Sequence, residues 1–379
     1  MKVIGVMSGS SLDGLDIALL DLVIPADKPG TRATIAEPSL RQPDSRIVWN
    51  LIAATKVDLP EELKQSLKKT IHQVPSELIK TEQAFSIFVS EALMVFKDQY
   101  QVTNPSAVGI HGHTIIHSPE HCRSWQLLNG ALVAERINET VISDFRMQDI
   151  CMGGQGTPMA VIADRDLFPG YKYYLNLGGI ANVSIRNNDE WTAYDICPCN
   201  QLLDHIAQQV GQDYDMGGKL AASGKPIKAL LEKLNSNPFL QKAPPKSLDN
   251  GYSRTIIAEN SALFNEHSTP DILRTLVDYI VHNIAAQVAV GDESVSMFVT
   301  GGGTFNSFLI EQLNEKLKKQ FVSLHIPEEN IIHYKEAILI AYAAQLSILN
   351  KPNFIPTATG ASAAASGGSI FFPSSHTHG

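Results

Sequence analysis

Apolar and polar positions along the chain repeat one plan: an apolar strand, a loop of small residues, and a second apolar strand. Val3 to Ser8, Gly9 to Asp13 and Gly14 to Leu22 form the first such hairpin. Tyr173 to Leu177, the Gly178-Gly179 turn and Ile180 to Ile185 form the second. Two like hairpins about 170 residues apart predict a duplicated core facing itself across a cleft. Between them, residues 23–45 are rich in Pro, Asp and Arg and read as an inserted loop, followed by a strand over Arg46 to Ile52. Apolar residues at helical spacing predict helices over 60–73 and 77–99, the second with Leu78, Ala84, Phe85, Phe88, Val89, Leu93 and Phe96 on one face.

A short apolar strand, Ala107 to Ile110, delivers His111-Gly112-His113-Thr114 to its end, where open α/β sheets hold ligands. A helix over 130–138, a strand over Thr140 to Ser143 and a helix from Thr157-Pro158 through Leu167 follow. In the second half, a strand over Trp191 to Tyr194 ends at Asp195 and turns into a helix over Gln201 to Val210. Helices over 226–235, 271–290 and Ser307 to Lys319, and a strand over Ser296 to Thr300, complete that half. An apolar helix opening with Lys335-Glu336 and an edge strand at Ile370-Phe371-Phe372 end the pattern.

Composition narrows the function classes. The 379 residues are 44% hydrophobic and 18% charged, with no apolar run long enough to span a bilayer. The formal charge of −9 carries no basic cluster, which argues against nucleic acid as a partner. Met1-Lys2-Val3 leads straight into a strand without the features of a signal peptide, so a cytoplasmic protein is expected, with no membrane partner. Cys122, Cys151, Cys197 and Cys199 are too few and scattered for a disulfide framework and are expected reduced.

The candidate chemistry sits in the loops. Gly5, Gly9 and Gly14 let the first hairpin turn tightly, while Ser8, Ser10 and Ser11 offer hydroxyl and N–H donors to an anion. Asp13 and Asp16 stand where a hydrated divalent cation is held against that anion. The Walker pattern is absent, because no Gly-Lys-Ser/Thr follows. Gly153-Gly154-Gln155-Gly156 before a helix is a second candidate anion or hydroxyl site. Gly301-Gly302-Gly303 between a strand and a helix suits close approach of backbone to a nucleoside or its phosphates. Asp195, a carboxylate at a strand end, is the candidate general base, with an N-cap or turn aspartate as the structural alternative. His113 and His117 are four apart, but the β-branched run Thr114-Ile115-Ile116 favours a strand over the helical geometry of a metal pair.

Taken in order, Met7-Ser8-Gly9-Ser10-Ser11-Leu12-Asp13-Gly14, His111-Gly112-His113-Thr114, Ser143-Asp144-Phe145-Arg146, Gly153-Gly154-Gln155-Gly156, Leu175 to Asn182, Ala222-Ser223-Gly224-Lys225, Pro245-Lys246-Ser247, Gly301-Gly302-Gly303 and Glu336-Ala337 resemble the anhydro-N-acetylmuramic acid kinases. That resemblance implies an α/β, two-domain actin-like ATPase (ribonuclease H-like) fold with a central cleft. It assigns residues 1–140 with 337–379 to one domain and 141–336 to the other. It also implies ATP with magnesium, a homodimer, and a reaction in which water opens the 1,6-anhydro ring while the γ-phosphoryl moves to O6. By position, Gly9, Ser10, Ser11, Leu12, Asp13, Gly14, Asp16, Gly178, Gly179, Asn182, Gly301, Gly302 and Gly303 would hold ATP, with Mg2+ reached through water from Asp13. Ser10, His113, Arg146, Gln155 and Glu336 would hold the sugar, and Asp195 would be the base for the attacking water.

Three departures from the family pattern stand out. Ile196-Cys197-Pro198-Cys199-Asn200 replaces the usual Thr-Gly-Pro-Gly-Asn, and cysteine adopts φ > 0 less readily than glycine. His113 replaces a usual glutamine and Ser10 a usual threonine. Competing readings are a kinase for another sugar or anhydrosugar, with Asp195 deprotonating a substrate hydroxyl, and a non-catalytic nucleotide-dependent binding protein of the same fold.

Overall fold

The computed structural model describes residues 1–9, 12–25, 47–188, 190–244, 246–248, 251–288 and 294–374. Ser10, Ser11, Pro245 and most of the expected insertion, residues 26–45, lie outside the described residues. Two compact units emerge, Met1–Pro169 with Tyr334–Gly379, and Gly170–His333. No helix among the described residues is long and apolar enough to cross a membrane.

In the first unit, β1 (Lys2–Ser8), β2 (Gly14–Val23) and β3 (Val48–Asp58) form an antiparallel meander, with Val6 opposite Ile17. β4 (Ala107–Ile110) runs parallel to β1 on its other side. A separate hairpin, β5 (His113–Ser118) and β6 (Arg123–Leu127), precedes β7 (Val141–Ser143), which runs parallel to β4. A last strand, Ser369–Phe371, pairs with β7, so the sheet edge expected near Phe371 is present.

Alternation along β1 explains how helices cover this sheet. Ile4 and Val6 point to one face and pack with Phe85, Val89, Leu93 and Phe96 of the helix Pro75–Gln99. Gly5 points to the other face, where an added Cβ would lie 2.0 Å from the Ala337 carbonyl oxygen and 2.5 Å from the Ala341 nitrogen. Gly109 of β4 meets Ile340 and Ala344 in the same way. The two glycines let the helix Glu329–Ile348 lie directly on the sheet backbone, and its residues Ala337 to Ser347 are buried, as befits a helix apolar all round.

The second unit repeats the scheme. β8 (Tyr173–Leu177), β9 (Ile180–Asn187) and β10 (Glu190–Pro198) form an antiparallel meander, and β11 (Val295–Thr300) and β12 (Val322–His325) add in parallel beside β8. The strand orders β3-β2-β1-β4-β7 and β10-β9-β8-β11-β12 are the same arrangement used twice. This duplicated order is the repeated core that the paired hairpins predict, and it is the actin-like, ribonuclease H-like fold that the family resemblance implies. The core of the unit joins Leu203 and Ile206 of the helix Asn200–Gln208 to Leu273, Leu276, Val277 and Ile280 of the helix Thr269–Ala285.

Several boundaries differ from expectation. The first division falls after Pro169 rather than after residue 140, because 141–169 is tied into the first unit. β7 pairs with β4, Trp49 Nε1 donates to the Leu167 carbonyl (2.9 Å), and Tyr342 donates to Asp166 Oδ2 (2.8 Å). The second division falls after His333 rather than after residue 336, within the helix Glu329–Ile348. That helix starts six residues earlier than Lys335, so Glu336 lies in its third turn and not at its N-terminus. β10 runs through Asp195 to Pro198 instead of stopping at Tyr194.

Candidate functional site

In the first unit the neighbouring parallel strands β1, β4 and β7 end side by side, presenting Ser8, His111 to His113, and Asp144 to Arg146. This edge is unusually rich in unmet polar atoms. Ser8 Oγ, His111 Nε2, His113 Nδ1 and Arg146 Nε are all buried without a hydrogen-bond partner among the described residues. Buried polar groups are otherwise nearly always paired, so such a cluster marks a place where a ligand completes the bonding. Asp144 holds the left-handed conformation at φ 56°, and burial pushes its carboxyl up to about 6. The sequence offers Ser8 as an anion donor and sets His111 and Asp144 in strand-end motifs without giving either a role; their position at strand ends was the available signal.

Electrostatics link the same edge to the helix Glu329–Ile348. Burial lowers Arg146 to about 10, and Glu336 opposes that shift. Glu336 is exposed to solvent while much of its surroundings is protein, and desolvation raises its carboxyl against the pull of Arg146 and then Lys335. Lys335 in turn pairs with the buried Asp164 at 2.7 Å. The expected partners Arg146 and Glu336 are therefore within electrostatic reach of each other, and burial lowers His113 at the start of β5.

Gln155 is placed differently. It is exposed, and its loop is built by the chain for itself: Asp149 Oδ2 accepts the Gly156 N–H (2.8 Å), Asp149 Oδ1 accepts the Thr359 hydroxyl (2.8 Å), and a Cβ on Gly154 would strike Asp149 Oδ2 at 2.1 Å. The following helix is the short segment Ala160–Asp166. In the first hairpin, Leu12 is buried at φ 55°, and Asp13 pairs with Lys56 at 2.6 Å. A Cβ on Gly14 would lie 2.8 Å from the Val57 carbonyl, so that glycine serves the β2–β3 contact. Asp16 lies in β2 opposite Met7.

In the second unit the register sets Asn182 of β9 directly opposite Asp195 of β10. A bulge between Asp195 and Cys197 re-aims the strand there. The segment 246–248 clamps Asp195 from the side: its N–H donates to the Lys246 carbonyl (3.0 Å) and its Oδ2 accepts the Leu248 N–H (2.8 Å). Burial raises the Asp195 carboxyl, while the Leu248 hydrogen bond draws it down. Lys246 lies 4.9 Å from the Phe239 ring centroid and donates to the Leu240 carbonyl (3.2 Å), which anchors the clamp.

The glycines of this unit divide by role. At Gly301 (φ 89°) a Cβ would meet Asn176 Oδ1 at 2.5 Å, and at Gly303 it would meet Leu177 Cβ at 2.7 Å, so both let the loop after β11 press on the end of β8. Gly302 is open, with its nearest neighbour, Asn200 Nδ2, at 3.9 Å. At Gly178 a Cβ would press on Asn176 Nδ2 at 3.3 Å, and the Gly178 and Gly179 carbonyls accept the N–H groups of Cys199, Asn200 and Gln201 around the start of the helix Asn200–Gln208. Neither cysteine departure requires a positive φ: Cys199 has φ −128°, and Cys197 lies in β10. Both are buried in the apolar core, which raises both thiols, Cys199 to about 12. No group of three or more His, Cys, Asp or Glu side chains among the described residues is arranged to hold a metal.

Comparison with known proteins shows the family of the chain. The family model for anhydro-N-acetylmuramic acid kinase matches residues 1–373. The anhydro-N-acetylmuramic acid kinase of Bacillus thuringiensis subsp. konkukian is 30% identical over 402 residues, covering 98% of this chain and 100% of that protein. That of Mannheimia succiniciproducens is 31% identical over 389 residues, covering 97% and 98%. Among solved structures, (R)-2-hydroxyglutaryl-CoA dehydratase component A from Acidaminococcus fermentans is similar at a TM-score of 0.45 and 13% identity, over 92% of this chain and 99% of that one. With a full-length family match and relatives at this identity along both whole chains, the chain belongs to the anhydro-N-acetylmuramic acid kinase family.

Proposed function

We propose that the protein is an ATP-dependent kinase that opens 1,6-anhydro-N-acetylmuramic acid with water and phosphorylates its O6, giving N-acetylmuramic acid 6-phosphate in the recycling of cell-wall sugar. Family membership supports the reaction class. The observation that carries the chemistry is the seat of Asp195: one oxygen is held by the Leu248 N–H, and the other has no hydrogen bond among the described residues. A partly desolvated carboxylate with one oxygen fixed and one free is suited to take a proton.

In this reading Asp195 Oδ1 takes a proton from water as the water oxygen bonds to C1. The C1–O6 bond breaks, the electron pair passes to O6, and O6 displaces ADP from the γ-phosphorus. Positioning and charge stabilisation supply the rest of the acceleration. Arg146, Glu336 and His113 hold the sugar. The Gly9 to Asp16 loop and the Gly178-Gly179 turn receive the phosphates, and the open space at Gly302 fits close approach of the nucleoside to the Gly301 to Gly303 run. Magnesium would be held by ATP and water, with Asp13 as an outer partner, and would neutralise charge on the phosphates. Asp13 is exposed enough for that role, though Lys56 now occupies one of its oxygens. The reading includes a cytoplasmic homodimer.

Incubation with Mg-ATP and 1,6-anhydro-N-acetylmuramic acid in 18O-labelled water tests it. A sugar phosphate carrying one 18O at C1 is expected. ADP release without a phosphosugar, or a phosphosugar without 18O, would overturn the ring-opening reaction.

A further inference from the structure

His111, at the end of β4, has its chemistry set by its neighbours and is not used in the reaction above. It is 4% exposed, and its Nδ1 lies 3.0 Å from the Gly112 carbonyl oxygen. A carbonyl only accepts, so Nδ1 carries the proton. The ring is also neutral, because burial first and the Arg146 cation second lower its pKa to about 3. A neutral ring protonated at Nδ1 presents a bare lone pair at Nε2. That atom is buried and has no partner among the described residues. Ser8 Oγ, His113 Nδ1 and Arg146 Nε are unmet on the same run of strand ends. His111 therefore offers an acceptor, whereas Arg146 Nε offers only a donor.

We propose that His111 is a specificity-determining residue whose Nε2 accepts a hydrogen bond from an N–H or O–H group of the sugar. The assignment rests on the kinase reading. An acceptor-only group facing Nε2 would leave two lone pairs opposed and a buried acceptor unmet, which disfavours sugars lacking a donor there. The anhydro sugar carries two donors of this class, the acetamido N–H at C2 and the hydroxyl at C4.

Calorimetric titration of the full-length protein with 1,6-anhydro-N-acetylmuramic acid tests this with two variants. His111→Asn keeps a donor for the Gly112 carbonyl but places nothing at the Nε2 position. His111→Gln reaches that position with an acceptor oxygen. The Asn variant is expected to bind the sugar on the order of tenfold more weakly with ATP binding unchanged, and the Gln variant to recover most of the loss. The 4-deoxy and N-methylacetamido analogues identify the donor: the one that matters loses affinity for the wild type and loses nothing further with His111→Asn. Wild-type affinity in the Asn variant would overturn the proposal. If neither variant folds, undiminished binding of both analogues to the wild type would overturn it, and selective loss of one would support it. A wild type that neither binds nor phosphorylates the sugar would remove the kinase reading and this assignment together, whereas phosphorylation with an unaffected Asn variant removes this assignment alone.

Discussion

Replacing Asp195 by asparagine separates chemistry from architecture. The amide oxygen of Asn can still accept the Leu248 N–H that Asp195 Oδ2 accepts at 2.8 Å, and the bond from the Asp195 N–H to the Lys246 carbonyl belongs to the backbone. The side chain therefore stays seated, and what disappears is the proton acceptor. General-base catalysis contributes roughly 10²–10⁴-fold, about 2.7–5.4 kcal/mol of barrier. kcat should fall by that factor in a coupled ADP-release assay, while ATP binding measured by equilibrium dialysis stays unchanged. Asp195→Ala adds a structural loss, because the Leu248 N–H is left without its acceptor at a cost of about 1–3 kcal/mol. The pH profile supplies a second readout. The base works only when ionised, and burial raises its carboxyl above the ordinary value, so kcat/KM should fall as pH drops through a limb lying above the usual aspartate range of about 3.9. That limb should vanish in Asp195→Asn. Turnover near the wild-type rate, or an unchanged acid limb in the Asn variant, would refute Asp195 as the base.

Other perturbations test the framework around the site. Gly5→Ala drives a Cβ to within 2.0 Å of the Ala337 carbonyl and should cost at least ~2 kcal/mol in urea denaturation; an unchanged midpoint would deny that close contact. Lys335→Met leaves Asp164, 2% exposed, without its cation and should cost about 3–5 kcal/mol, much of it recovered when Asp164→Leu is added, because an apolar pair replaces a stranded charge. Native protein should expose two reactive thiols, Cys122 and Cys151, to an aromatic disulfide reagent, and all four cysteines once unfolded; early reaction of Cys197 or Cys199 would contradict their burial.

What the sequence by itself determined was the plan of the chain. The strand–loop–strand pattern located β1 with β2 and β8 with β9, because alternation and small-residue loops are local properties. The ordered motifs also pointed to the family, since Asp195, Arg146 and Glu336 sit in short runs readable without a fold. The tertiary structure decided what each residue does there. Gly301 and Gly303 read as ligand-facing glycines, yet their missing Cβ atoms make room for the end of the chain's own β8, leaving Gly302 as the open position. Gln155 sits in a loop whose shape comes from Asp149 and, far along the chain, Thr359. Glu336 read as a helix-start acid, yet the helix begins at Glu329, soon after Pro327, and its later turns pack on Gly5 and Gly109. His111 shows the limit most directly. Its tautomer depends on a carbonyl beside it, and its charge on burial and on Arg146, thirty-five positions away in the chain. Local patterns are written in neighbouring residues, whereas protonation, clearance and unmet hydrogen bonds arise only when distant segments share one space.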